Sequence, residues 1–154
     1  MFSKRVSVEQ IEEGTDFCPK FNQDGLVPVV VTCHKTRVVL MHGYMSKEAL
    51  QKTIATQEAH YWSRSRKKLW KKGATSGYIQ KVKEIRIDDD QDTLWISVID
   101  GGSSCHVGYR SCFYRSLLFT EDSNKGQVKL VFQESKKVFD PKNVYKLHDN
   151  STII

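Results

Sequence analysis

Long apolar runs are missing from this chain. No stretch approaches the roughly 18–20 residues that a membrane-spanning helix needs, so no membrane partner is expected. The first ten residues, M-F-S-K-R-V-S-V-E-Q, lack the apolar centre of a secretory signal, and a cytoplasmic protein is expected. Cysteine is sparse: only Cys18, Cys33, Cys105 and Cys112 are present. In a reducing compartment these read as free thiols or ligands rather than disulfides. Neither an internal repeat nor a low-complexity linker interrupts the 154 residues, which read as a single domain able to bury a core unaided. Acidic residues are outnumbered, 18 against 24 basic, for a formal charge of +6. That balance favours phosphate-bearing partners without separating a nucleotide from a nucleic acid.

What is there reads as short strands around a helix. Ser7 is placed to cap a short helix within residues 3–13, with Gln10 three positions on, Val8 and Ile11 on one face, and Gly14 ending it. L-V-P-V-V-V-T-C is a buried strand in which Pro28 limits the start or the edge. H-K-T-R turns it into V-V-L-M-H-G-Y-M. Ser46 then caps a helix, K-E-A-L-Q-K-T-I-A-T, with Ala49, Leu50 and Ile54 as its packing face. Y-I-Q-K-V-K-E-I-R-I alternates with one slip near Val82, and T-L-W-I-S-V-I follows as a strand. R-S-C-F-Y-R-S-L-L-F reads as a further strand and Q-V-K-L-V-F-Q as an added edge strand. A polar turn, T-E-D-S-N-K-G, lies between them, and K-V-F-D-P-K-N-V-Y-K is an arm anchored by Phe139 and Tyr145. The expected class is α+β, an antiparallel sheet with one main helix packed on it.

Three runs carry chemistry. The first, H-Y-W-S-R-S-R-K-K-L-W-K-K-G-A-T-S-G from His60, sets Arg64, Arg66, Lys67, Lys68, Lys71 and Lys72 beside Trp62 and Trp70. Arginine forks match phosphate oxygens. Ser63, Ser65, Thr75 and Ser76 add hydroxyl donors, and Gly73 and Gly77 allow close backbone approach. A phosphoribosyl-binding loop fits, and so does a nucleic-acid surface with stacking rings. A plain solvated loop does not account for two tryptophans.

The second run is D-D-D-Q-D, from Asp88 to Asp92. On extended backbone Asp88, Asp90 and Asp92 would share one face and Asp89 the other. Three such carboxylates would span ~13 Å, which suits a hard cation that keeps several waters, magnesium rather than a closed cage. A solvated acidic turn is the competing reading. An EF-hand is excluded, because Thr93 and Ile99 stand where its glycine and glutamate would be. In the third run, C-H-V-G-Y-R-S-C-F-Y-R, Cys105 and Cys112 meet only if the chain turns between them, and Gly108 can supply that turn. With His106 the set suits zinc but does not close a tetrahedron. Two structural thiols are the alternative.

Taken together, D-G-L-V-P, L-M-H-G-Y-M-S-K-E-A-L, E-A-H-Y-W-S-R-S-R-K-K-L-W-K-K-G, C-H-V-G and R-S-C-F-Y-R resemble the phosphoribosyl-AMP cyclohydrolase family of histidine biosynthesis. The resemblance covers a core of about 21–115 and leaves 116–154 as a C-terminal extension. No fused pyrophosphohydrolase domain, which some members carry, is read in the chain. The resemblance implies an intertwined homodimer that hydrolyses the N1–C6 purine bond of phosphoribosyl-AMP, with no nucleic-acid partner. It implies magnesium on Asp88, Asp90 and Asp92, and zinc on Cys105, Cys112 and residue 89, shared across the dimer. The family pattern there is D-C-D, and this chain has Asp89 in place of the cysteine. Aspartate keeps the negative charge as a harder donor. His106 is the expected proton-transfer group. Trp62, Ser63, Arg64, Ser65, Arg66, Trp70, Lys72, Gly73, Ser76 and Gly77 are expected to bind substrate. The departure at Asp89 leaves a second reading open, a divergent homologue that acts on another purine nucleotide or only binds nucleotides.

Overall fold

β-Branched runs and a capped amphipathic segment build most of the core, and they do so at the expected places. The computed structural model describes residues 1–120, 126 and 128–145. β1 (Leu26–Cys33) and β2 (Val39–Ser46) form an antiparallel hairpin. α2 (Lys47–Thr56), which follows α1 (Val8–Glu12), begins where the Ser46 hydroxyl accepts from the Ala49 N–H at 3.2 Å, and Gln57 closes it in the left-handed region. α2 buries Ala49, Leu50 and Thr53, while Ile54 packs at the margin of the core.

β3 (His60–Ser63) and β4 (Lys68–Lys71) form a second hairpin. Eight residues of the cationic aromatic run are therefore strand, four in each of β3 and β4, where a loop was expected. β5 (Gln80–Ile87) and β6 (Leu94–Asp100) pair antiparallel, and the slip expected near Val82 is a register shift between Val82 and Glu84.

The main sheet has the order β2-β1-β6-β5. It is mixed rather than antiparallel, because β1 and β6 run parallel, Val29 opposite Leu94 through Cys33 opposite Val98. β1 is thus internal, although Pro28 suggested a start or an edge. The proline is tolerated because pairing with β6 begins only at Val29, one residue past the missing N–H. Val27, Val29 and Val31 face a core completed by Leu40, Met45, Leu50, Tyr61, Leu94, Ile96 and Val98.

Three other expectations change. The first helix is confined to Val8–Glu12, with the Ser7 cap intact, and Val8 is exposed. Only Arg115–Leu118 (β7) of the run from Arg110 is strand, because turns take up the residues before it. β8 (Lys129–Phe132) pairs with β7 in a separate two-stranded sheet instead of extending the main one. The polar turn read over 120–126 lies, apart from Thr120 and Gly126, outside the described residues. The arm is anchored as expected: Phe139 stacks on Tyr78 at 5.2 Å and Tyr145 packs on Phe139 at 6.0 Å, with a 3-10 turn at Pro141–Asn143. Among the described residues no helix is long and apolar enough to cross a membrane.

Candidate active site

The thiol loop follows β6. Gly108, at φ 100°, turns the chain, the Cys105 N–H reaches the Tyr109 carbonyl at 3.2 Å, and the Ser104 N–H reaches Arg110 at 2.8 Å. A side chain at Gly108 would collide with the Phe139 carbonyl oxygen of the C-terminal arm. The Cys112 N–H donates to the Leu40 carbonyl at 2.7 Å, which pins the loop to β2. The two thiols are thereby brought into hydrogen-bond contact. Cys112 is an exposed residue whose sulfur nevertheless points toward the Ser104 carbonyl, 3.9 Å away. The hydrogen bond from Cys112 holds the Cys105 thiol down to about 6, against the cost of burial and with help from backbone N–H groups and Lys72. Cys112, as donor, is pushed up. His106 is half-buried in the turn after Cys105.

Two side chains that sequence reasoning did not single out complete this loop. Glu134, from the C-terminal segment, accepts from the N–H groups of Arg110 at 2.8 Å and Ser111 at 3.0 Å. Its distance in sequence hid it. Asp100, at the end of β6, has a buried carboxylate oxygen with no hydrogen-bond partner. Lys72 is buried and donates to the Ser104 carbonyl at 2.9 Å. Burial lowers its pKa, and the neighbouring Cys112, Cys105 and Asp100 oppose that shift.

A cavity of about 620 Å³ opens between β2 and the β3–β4 hairpin, and Trp62, Ser63, Arg64, Ser65, Arg66 and Trp70 line it. Its other wall is Met41, His42, Gly43 and Tyr44, none of them expected from the sequence. Lys72, Gly73, Ser76 and Gly77 are not in this lining. Lys72 faces the thiols instead. Gly73 and Gly77, at φ 84° and 76°, shape the turn after β4, where the Gly77 N–H donates to the Gly73 carbonyl at 2.8 Å and the Ser76 hydroxyl accepts from Tyr78 at 3.4 Å. Cavity and thiol loop are linked through a buried relay. The Tyr61 hydroxyl donates to Gln80 Oε1 at 2.6 Å, and Gln80 Nε2 donates to the Ser104 hydroxyl at 2.9 Å.

The acidic run is a turn, not extended backbone, so its side chains do not alternate between faces. Gln91 adopts a left-handed conformation (φ 59°). Asp88 Oδ1 accepts from the N–H groups of Asp92 at 3.0 Å and Thr93 at 2.9 Å. The carboxylates this gathers are Asp88, Asp89 and Asp90, with oxygens within 4.8 Å of one another. Lys20 bridges Asp90 and Asp92 at 3.0 and 3.4 Å, and its hydrogen bond holds the Asp90 carboxyl below its ordinary range. Gln91 is buried and ties the turn to the N-terminal segment through Cys18, Ile11 and Asp16. Arg5 adds a bond to the Asp90 carbonyl at 2.9 Å.

An α+β domain carrying a cationic aromatic cavity, a thiol pair and an acidic turn is a framework for hydrolytic chemistry on a phosphorylated ligand. The family model described as phosphoribosyl-AMP cyclohydrolase matches residues 41–114. A protein of that name from Rhodopseudomonas palustris is 51% identical over 93% of this chain and 93% of its own length. Its counterpart in Bradyrhizobium diazoefficiens is 52% identical over 89% of this chain and 95% of its own. One from Methanosarcina acetivorans is 54% identical over 80% of this chain and 92% of its own length. The chain belongs to the phosphoribosyl-AMP cyclohydrolase family of enzymes.

Proposed function

We propose that this chain opens the purine ring of phosphoribosyl-AMP hydrolytically at N1–C6, in histidine biosynthesis, as a cytoplasmic homodimer whose active site is built from both subunits. One observation carries the composite site. The acidic turn joins β5 to the start of β6, whereas the thiol loop follows the far end of β6. A seven-residue strand separates them by about 20 Å at the usual rise per residue, far more than one ion can bridge. Asp88 and Asp89 are exposed on the turn, open to a second copy.

The donor sets fit the ions of this reading. Two contacting thiols, one with its pKa drawn down to about 6, suit zinc. The acidic turn gathers Asp88, Asp89 and Asp90, with Asp92 sharing Lys20 with Asp90, and carboxylates so crowded suit a hydrated hard cation. Cys105 and Cys112 with Asp89 of the partner subunit would hold zinc, and Asp88, Asp90 and Asp92 would hold magnesium. Zinc so held supplies water acidic enough to be a nucleophile near neutral pH. The protein's own groups do the rest. Arg64 and Arg66 bind a substrate phosphate, with Ser63 and Ser65 as further donors. Trp62 and Trp70 flank the purine and ribose, and His106 delivers the proton that N1 needs as the N1–C6 bond breaks. Residues 1–154 act as one domain, in which Glu134 of the C-terminal extension braces the thiol loop.

The test is turnover of phosphoribosyl-AMP, followed by the change in purine absorbance, alongside metal analysis. Asp89→Cys restores the family's three-thiolate set and should tighten zinc against a competing chelator, because thiolates are softer donors. Unchanged zinc affinity together with monomeric sedimentation would remove Asp89 and the composite site from this account.

A further inference from the structure

Tyr44 lies on β2, outside the cationic run, yet it forms the wall opposite that run. The Arg64 guanidinium sits over its ring, 4.2 Å from the centroid. His42 packs edge-on against the same ring, centroids 5.0 Å apart at 77°, so the ring is held from its own strand. Among the described residues no carboxylate forms an ion pair with Arg64. A guanidinium seated over an aromatic ring is held by the π-system and still has N–H groups to offer an anion. Arg66 is arranged differently, because its Nε donates to the Ser63 hydroxyl at 3.3 Å. Gly43, between His42 and Tyr44, keeps the floor open: a β-carbon there would stand 3.1 Å from the Tyr61 ring.

We propose that Tyr44 is a positioning residue that fixes Arg64 as the fork for a phosphomonoester of the substrate, in a subsite between β2 and the β3–β4 hairpin. The identity of that ligand rests on the phosphoribosyl-AMP reading, but the subsite itself rests on the Tyr44–Arg64 geometry. A leucine at position 44 would leave Arg64 unrestrained, so each binding event must pay its rotamer entropy again. A phenylalanine keeps the ring face.

The experiment uses the full-length metal-loaded protein and four variants: Tyr44→Leu, Tyr44→Phe, Arg64→Ala and the Tyr44→Leu/Arg64→Ala double. Binding of AMP is read from the fluorescence of Trp62 and Trp70, and KM and kcat are measured with phosphoribosyl-AMP. Tyr44→Leu should raise KM and the AMP dissociation constant by about three- to tenfold with little change in kcat. Tyr44→Phe should restore both, and the double variant should be no worse than Arg64→Ala alone. A folded Tyr44→Leu with unchanged KM and AMP affinity overturns the proposal, and so does a double variant whose loss is the product of the two singles. Should the wild type bind AMP through Tyr44 and Arg64 yet fail to turn over phosphoribosyl-AMP, the substrate reading falls and the subsite stands. Wild-type KM and AMP affinity in both Tyr44→Leu and Arg64→Ala, with turnover of phosphoribosyl-AMP intact, would do the reverse.

Discussion

Tyr61→Phe removes one oxygen atom from the relay between the cavity and the thiol loop. Tyr61 is 1% exposed and Gln80 0%, and burial pushes the phenol far above its ordinary pKa, with Cys112 adding to the shift. The hydroxyl is therefore a neutral donor in a dry setting. Its loss forfeits a 2.6 Å hydrogen bond and leaves Gln80 Oε1 buried without a donor. A net hydrogen bond contributes about 1 kcal/mol, and an orphaned buried acceptor costs about 1–3 kcal/mol. We expect a loss of about 1–2 kcal/mol, because the ring stays packed on Trp70, centroids 5.1 Å apart. For a chain of this size that lowers Tm by roughly 2–8 °C. Gln80→Leu removes both hydrogen bonds of the relay, leaving the Tyr61 and Ser104 hydroxyls without Gln80, and should cost about 2–3 kcal/mol. The double variant should cost less than the two together, by about 0.5–1.5 kcal/mol, since Tyr61→Phe does no further harm once its acceptor has gone. Urea unfolding followed by tryptophan fluorescence reads all three. A Tyr61→Phe loss below about 0.3 kcal/mol, or strict additivity, would refute the relay as a coupled unit.

Three further outcomes are expected. Glu134→Ala should destabilise the thiol loop by about 2 kcal/mol, as two N–H groups lose their acceptor, and it should speed Cys112 alkylation. Lys20→Met removes the cation that bridges Asp90 and Asp92, so calorimetric affinity for magnesium or manganese at the acidic turn should rise several-fold, most at low salt. In metal-free protein, thiolate absorbance near 240 nm should titrate in a step near pH 6 that Cys112→Ala shifts upward. Because the folded pKa of Cys105 is depressed, the associated stability is present in full above the unfolded-state value and is lost as pH falls through about 6.

Local chemistry was readable wherever it acts over a few residues. The Ser7 and Ser46 caps, the β1–β2 hairpin and the slip at Val82 all depend on neighbours, and all stand in the structure. The parallel pairing of β1 with β6 was not readable. It joins residues more than sixty apart, and an apolar strand carries no mark of which way its neighbour runs. Nor does the pattern H-Y-W-S…K-L-W-K alternate apolar and polar residues cleanly enough to separate a hairpin from a loop. The cavity was half legible: one wall is the unusual run, and the other is His42 and Tyr44 on an ordinary-looking strand. Gly108 was legible as a turn, but Glu134 was not. A glutamate that accepts two loop N–H groups looks no different in sequence from one in solvent.

The acidic turn shows why spacing alone misled. Four aspartates in five residues repel one another, and extended backbone would have spread them over two faces. The chain instead folds them into a turn and brings cations from its own N-terminus. Lys20 bonds to Asp90 and Asp92, and Arg5 bonds to the Asp90 carbonyl and helps hold the Asp90 carboxyl ionised. Two cations set against four carboxylates leave two negative charges, the charge that one divalent ion neutralises. Lys20 and such an ion compete for the carboxylates of Asp90 and Asp92, so a cation that takes both binds against the ammonium. The turn itself need not come apart when that happens. Gln91 and Arg5 hold its backbone rather than its carboxylates, and Asp88 keeps its contacts with the Asp92 and Thr93 N–H groups. Asp89 stands outside this exchange, exposed and bonded to neither Lys20 nor Arg5. Within the cluster it is the carboxylate that the proposed composite site could take without opening the turn.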